Sequence, residues 1–352
     1  MLVSKIKITG KYLDQPLLTA KFSKAMPAVL CGGAALITGI NTYKAPPSEK
    51  NKVFIQNICV MIGTVASAII AAKGLKPLKI NGKEIFKGFK GLMEQISPAE
   101  VKKNQTKIVD EFLRNNSYDK NTELILKKSK QEVLNHSEIS ILYKNMENTG
   151  TGKIFLHKFI PETKTVNSKE IYTEIGKLSL MGLVPVFGGI TGGIIGDKIT
   201  DKKWKDKIPN KIKEGTYQYF ANIFLCNVGA ALALSLMEKM KIKSKVARAA
   251  GMTGGIVAMG ILGGSAMANF IGKKFIDPIL GKNKNPEHGK KNHLNDKSLY
   301  SERTPELLDV GLHVDDISTV AVISGLNWIA PTLPVLYSVS GYRAGIGYRN
   351  KD

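Results

Sequence analysis

PVFGGITGGIIGDKIT, residues 185–200, carries five glycines in nine residues, and how those glycines are read decides the fold. They could cradle a phosphate at a strand–helix turn, or they could let a helix pack against a neighbour. A dinucleotide fingerprint needs Gly at n, n+2 and n+5, and Ile190 and Thr191 break that pattern. A phosphate loop of the Walker type needs Gly-Lys followed by Ser or Thr, which occurs nowhere in the chain. The spacing is instead four. Gly188, Gly192 and Gly196 form one ridge of a helix, and Gly189 with Gly193 form the ridge beside it.

Small residues four apart let helices approach within a bilayer, where apolar side chains gain nothing by leaving lipid for protein. The surrounding sequence fits that setting. Apolar residues gather in six nearly uncharged blocks, at about 25–43, 53–72, 178–196, 218–237, 249–272 and 317–342. Roughly 20 apolar residues cross the hydrocarbon as a helix, and four of the blocks clear that length, with blocks one and three marginal. The mean hydropathy of −0.06 conceals this segregation because lysines fill the stretches between blocks. The expected fold is all-α: a polytopic membrane protein of about six transmembrane helices with a small helical soluble insert.

The formal charge of +22 comes almost entirely from lysine, since only five arginines are present. Nucleic-acid readers lean on the guanidinium fork, so headgroup-facing loops explain the lysines better and no nucleic acid is expected. Cys31, Cys59 and Cys226 lie apart inside apolar blocks, which points to small buried hydrophobes and neither to a disulfide framework nor to a metal pair. His288, His293 and His313 share a lysine-rich polar loop at about 282–316, without the spacing of a zinc site. No catalytic residue, metal or cofactor is predicted, and an enzyme is not expected. The acid-bearing proline signature of mitochondrial carriers follows only block one, as Pro47, Glu49 and Lys52, so the chain is not read as one of them.

Three divisions follow: residues 1–83 with two spans, a polar helical insert at 84–170, and residues 171–352 with four spans. In the insert, Ser97, Pro98 and Glu100 have the order of a helix start, and Val101, Ile108, Val109, Phe112 and Leu113 fall on one face. Two more helices are expected in NTELILKKSKQEVL and SEISILYKNM, then a turn at NTGTGK.

The blocks also match in pairs. PVFGGITGGIIG from Pro185 aligns with PVLYSVSGYRAG from Pro334, setting Gly192 against Gly341 and Gly196 against Gly345. Block two matches block five at Gly63 and Gly264, and block one matches block four with one gap. Two three-span repeats are therefore expected, and an odd number of spans would invert the second copy, as in many secondary transporters. Gly260 and Gly264 extend the packing set. Polar residues within the blocks are the candidate substrate ligands: Asn57, Asn227, Asn269, Asn327 and Trp328, with Pro331 breaking the last span. No acid or base is expected deep in a span, and the basic stretch after block three is expected to lie on the surface.

The expected function is passage of a small solute between the repeats, in a bacterial inner membrane with a cytoplasmic N-terminus; about 22 Lys/Arg flank the spans on that side and about 18 on the other. The alternative is a scaffold or assembly factor. The bilayer is the expected partner, together with a soluble protein at 84–170 and a second copy of the chain.

Overall fold

The glycine-rich stretch lies inside one long helix of a computed structural model, which describes residues 10–75, 77–86, 88–90, 97–161, 168–242, 245–280 and 332–347. Asn327, Trp328, Pro331 and the loop at 282–316 with its three histidines lie outside the described residues.

Two helices open the chain, α1 (Pro16–Lys44) and α2 (Lys50–Lys73). Two small antiparallel ladders follow: β1 (Gly74–Leu75) with β4 (Phe89–Lys90), and β2 (Leu78–Ile80) with β3 (Lys83–Phe86). The inner ladder turns at Asn81-Gly82, both with positive φ (50° and 76°), the conformation a two-residue hairpin requires. The hairpin straddles the expected boundary at 83/84, and its Asn-Gly signal was legible in LKINGKEIF.

The insert proper consists of α3 (Pro98–Asn115), α4 (Lys120–Ser129), α5 (His136–Met146) and α6 (Gly150–Phe159). Its own core joins Val109, Phe112, Leu126, Leu134, Ile139, Leu142, Met146, Phe155 and Phe159. Ser97 precedes the first helix, yet its side chain makes no cap bond; the capping box is at Asn135 and Glu138. NTGTGK is not a free turn. The Thr149 hydroxyl accepts from the Gly152 N–H at 3.2 Å and starts α6.

The remaining helices are α7 (Ser168–Thr200), α8 (Ile208–Tyr219), α9 (Leu225–Lys239), α10 (Lys245–Ile256), α11 (Ser265–Ile271), α12 (Asp277–Leu280) and α13 (Leu333–Ile346). π-helical turns at Phe220–Phe224, Val257–Gly264 and Gly272–Ile276 join α8 to α9 and α10 through α12 without a break. Among the described residues, five stretches are long and apolar enough to cross a membrane: Pro16–Lys44, Lys50–Lys73, Ile175–Thr200, Trp204–Lys239 and Ala250–Ile279. Large apolar side chains point outward from them, among them Leu36, Ile62, Phe187, Leu236 and Leu262. Such a surface is costly in water and suited to lipid, so the helices indicate a membrane protein.

Glycine contacts fix how the helices run. A Cβ on Gly63 would strike the Gly188 carbonyl, one on Gly192 the Cys59 carbonyl, and one on Gly196 would lie 3.0 Å from Gln56 Cα, so α2 and α7 are antiparallel. On the neighbouring ridge, Gly189 meets the Gly341 carbonyl and Gly193 that of Gly345, so α7 and α13 run parallel. Gly229 faces Gly255, Gly260 faces Cys226 and Gly264 faces Ala221, which sets α10–α11 antiparallel to α8–α9.

One bundle end therefore carries the insert. There, Gln15 brackets Leu134 with two 2.8 Å hydrogen bonds to its N–H and carbonyl, tying the start of α1 to the insert. The far end gathers the α1–α2 turn, the α7–α8 turn and the last residues of α13. Alternation of six spans sets the sixth antiparallel to the third, but α13 runs with α7. Blocks one and four, and two and five, do run in opposite directions; the third pair does not. Gly192 and Gly341, aligned in sequence, are not equivalent in contact: Gly192 seats against the backbone of α2 at Cys59, whereas Gly341 seats against the backbone of α7 at Pro185 and meets α2 only through the Thr64 side chain.

Candidate functional site at the far end of the bundle

The apolar blocks end before their helices do. Helix α7 continues past the end of block three at 196, through Asp197 to Thr200, and after it the 3-10 turn Trp204–Lys207 leads into α8 with Pro209 in its first turn. This folds Asp197, Lys211 and Glu214 into the interior, with 3%, 5% and 2% of their surface exposed. The expectation that residues 197–213 lie on the surface is thereby corrected at Asp197 and Lys211, which are buried, while Lys198, Lys202, Lys203 and Lys205 are exposed. The physical reason is compensation: a charge enters a helix interface when a partner charge enters with it.

The pairing is explicit. Asp197 Oδ1 accepts from Gln56 Nε2 at 2.8 Å. Asp197 Oδ2 lies 3.1 Å from Lys211 Nζ, an ion pair outside hydrogen-bonding angles. Lys211 Nζ also donates to the Gly345 carbonyl, with the Ile346 carbonyl 3.4 Å away, at the C-terminal end of α13. Arg343 Nε lies 3.8 Å from Glu214 Oε1. Nearer the surface, Lys207 is 2.8 Å from Asp201 and 3.9 Å from Asp197, and Lys52 is 3.7 Å from Asp201. The Lys207 side chain, helped by the Lys203 N–H, holds the Asp201 carboxyl at about 2.

A cavity of about 220 Å³ adjoins this cluster, lined by Gln56, Asn57, Asp197, Lys207, Asn210 and Lys211 among others. Asn57 accepts at Oδ1 from Asn41 at 3.0 Å and from the Tyr342 hydroxyl at 2.8 Å, and so joins α1, α2 and α13.

A buried polar file leads inward from the cluster along α8 and α9. Gln218 Nε2 donates to Glu214 Oε1 at 2.7 Å, and Asn222 Nδ2 donates to Gln218 Oε1 at 2.8 Å. These residues are four apart and share one helix face. The next polar residue, Asn227, stands five on, which in an unbroken α-helix would turn it away. The π turn Phe220–Phe224, closed by the Leu225 N–H on the Phe220 carbonyl, absorbs one residue and keeps Asn227 in file. Asn227 is 1% exposed, and neither end of its amide has a hydrogen-bond partner. From Glu214 to Asn227 the file covers about 20 Å of helix.

Of the other predicted site residues, Asn269 is half-buried on α11. Gly188, Gly192, Gly196, Gly260, Gly264, Gly341 and Gly345 all lie at the helix contacts described above. Asp197, Lys211, Glu214, Gln218 and Arg343 were not among the sequence candidates. Glu214 and Gln218 leave one faint signal, their four-residue spacing with Asn222, which the neighbouring lysines obscure. Cys226 is buried, Cys59 half-buried and Cys31 exposed on α1, so only one behaves as a core residue. No group of three His, Cys, Asp or Glu able to hold a metal occurs among the described residues.

Comparison of the chain with protein-family models, with curated proteins and with solved structures finds no match.

Proposed function

We propose that this membrane protein passes a small polar solute across the bilayer, entering or leaving at the far-end cavity and moving along the face of α8 and α9. The observation that carries the reading is the buried file Glu214, Gln218, Asn222 and Asn227 within a helix long enough to span. Ionisable and amide groups are expensive inside a membrane and mark solute or ion pathways by default. An amide left unpaired costs about 1–3 kcal/mol, a burden that packing alone does not explain. The π turn that aligns Asn227 adds support, because such turns concentrate at functional sites. Opposed directions in the first two block pairs are in keeping with an inverted duplication of those two elements. No chemical transformation enters this reading, which treats the protein as a non-enzyme in a bacterial inner membrane, with the insert on the cytoplasmic side.

Reconstitution tests it. Liposomes carrying the full chain should show uptake of at least one member of a panel of small polar solutes, and Asn222→Leu with Asn227→Leu should reduce it more than tenfold. Uptake equal to that of protein-free liposomes across the panel contradicts the proposal.

A second reading rests on the insert. Leu124 and Ile154 are 57% and 60% exposed on a unit with its own core, which favours docking of a soluble partner and a scaffold role. A partner that co-purifies with wild type and is lost on Leu124→Glu and Ile154→Glu supports this reading; unchanged co-purification opposes it.

A further inference from the structure

Lys211 stands where its surroundings are built to hold a positive charge. Three oxygens from two other helices face its ammonium: Asp197 Oδ2 of α7 and the carbonyls of Gly345 and Ile346 in the last turn of α13. Those carbonyls have no successor in the helix to bond, and they sit at the negative end of its macrodipole. Helix α13 is 14 residues long, about 21 Å, and it stops within the bundle at Gly347, whose φ of 83° turns the chain away. The end of a short helix together with a carboxylate is how interrupted helices coordinate coupling cations in transporters.

We propose that this cage is a monovalent-cation site, which Lys211 fills with a tethered ammonium and which a free cation fills when Lys211 is withdrawn. One carboxylate and two carbonyls match a single positive charge. The lysine has somewhere to go, since its own stem and the cage both border the 220 Å³ cavity, beside the amides of Gln56 and Asn57. Lys207, 3.9 Å from Asp197 and 41% exposed, is the only other lysine paired with Asp197 among the described residues and stands at the mouth as a second tethered cation. Removal of both lysines leaves Asp197 buried without a counter-charge, a state that a small cation relieves. The inference is independent of solute passage: a cation can occupy the cage whether or not anything crosses the membrane.

The test compares full-length wild type with Lys207→Gln/Lys211→Met, purified in mild detergent. Thermal unfolding is followed in potassium, sodium, ammonium and choline chloride at one ionic strength. Wild type should melt at the same temperature in all four. The double variant should melt several degrees lower in choline and recover, saturably, in at least one of the small cations. Adding Asp197→Asn should abolish that recovery. Equal melting of the double variant in all four salts overturns the proposal, as does recovery that survives loss of the carboxylate. If the double variant cannot be isolated in choline, the yield of monodisperse protein across the four salts becomes the readout, and equal failure in all of them overturns it too.

Discussion

Asn227 illustrates how a single residue separates structural from functional readings. If its only role were packing, Asn227→Leu would leave the protein intact or stabilise it by about 1–2 kcal/mol, since an unpaired amide is exchanged for an isosteric apolar group. The account expects that gain in thermal unfolding together with loss of solute flux; flux retained at the wild-type level separates Asn227 from the pathway. Asp201 offers a pH test. Its carboxyl is depressed from 3.8 to about 2, so the stability it contributes is complete above pH 4 and is lost as pH falls from 4 towards 2. Fluorescence of Trp204, in the same turn, should be constant down to about pH 4 and change below it, and Asp201→Asn should remove that transition in a Trp328→Phe background. The asparagines could be picked out of the sequence because they interrupt apolar runs. Asp197, Lys211 and Glu214 could not, because each stands among lysines at a block edge and only the fold shows which of these charges turn inward.

The elements meet through their glycines. Helix α7 is the hub, with one ridge against α2 and the adjacent ridge against α13. Adding even a methyl to either ridge drives it into a backbone carbonyl, which cannot rotate aside as a side chain can. Gly189→Ala and Gly193→Ala should therefore destabilise by about 1–3 kcal/mol each through α13, while Gly32→Ala on α1, where nothing lies within 4 Å, should be neutral within about 0.5 kcal/mol. Denaturation in detergent measures all three; similar losses at all three sites would contradict the assignment of α7 as the hub. The four-residue spacing in PVFGGITGGIIG made the ridges legible. It could not assign partners, because identical ridges fit any small-residue face, and the sequence match of Gly192 to Gly341 pairs residues that seat against different backbones, Cys59 of α2 and Pro185 of α7. The Asn-Gly hairpin at 81–82 was equally readable. The π turns were not, since a one-residue slip in helix register follows from packing and leaves no local composition signal.

At the scale of the molecule, five of the six apolar blocks lie in helices long enough to span among the described residues, and the polar stretch between blocks two and three became a small domain with its own core. The direction of α13 escaped the sequence because alternation assumes that each block crosses once. Gln15 locks the insert to the start of α1, placing that start and the insert at one end, while the α1–α2 and α7–α8 turns share the other. Everything argued for the cavity and the polar file depends on those two ends facing opposite sides of a membrane. Single cysteines at Ser48, Lys203, Asn121 and Lys241, in a chain whose own three cysteines are replaced, measure this with an impermeant thiol reagent on sealed vesicles. The account predicts that Ser48→Cys and Lys203→Cys react from one side and Asn121→Cys and Lys241→Cys only from the other; reaction of all four from the same side contradicts it.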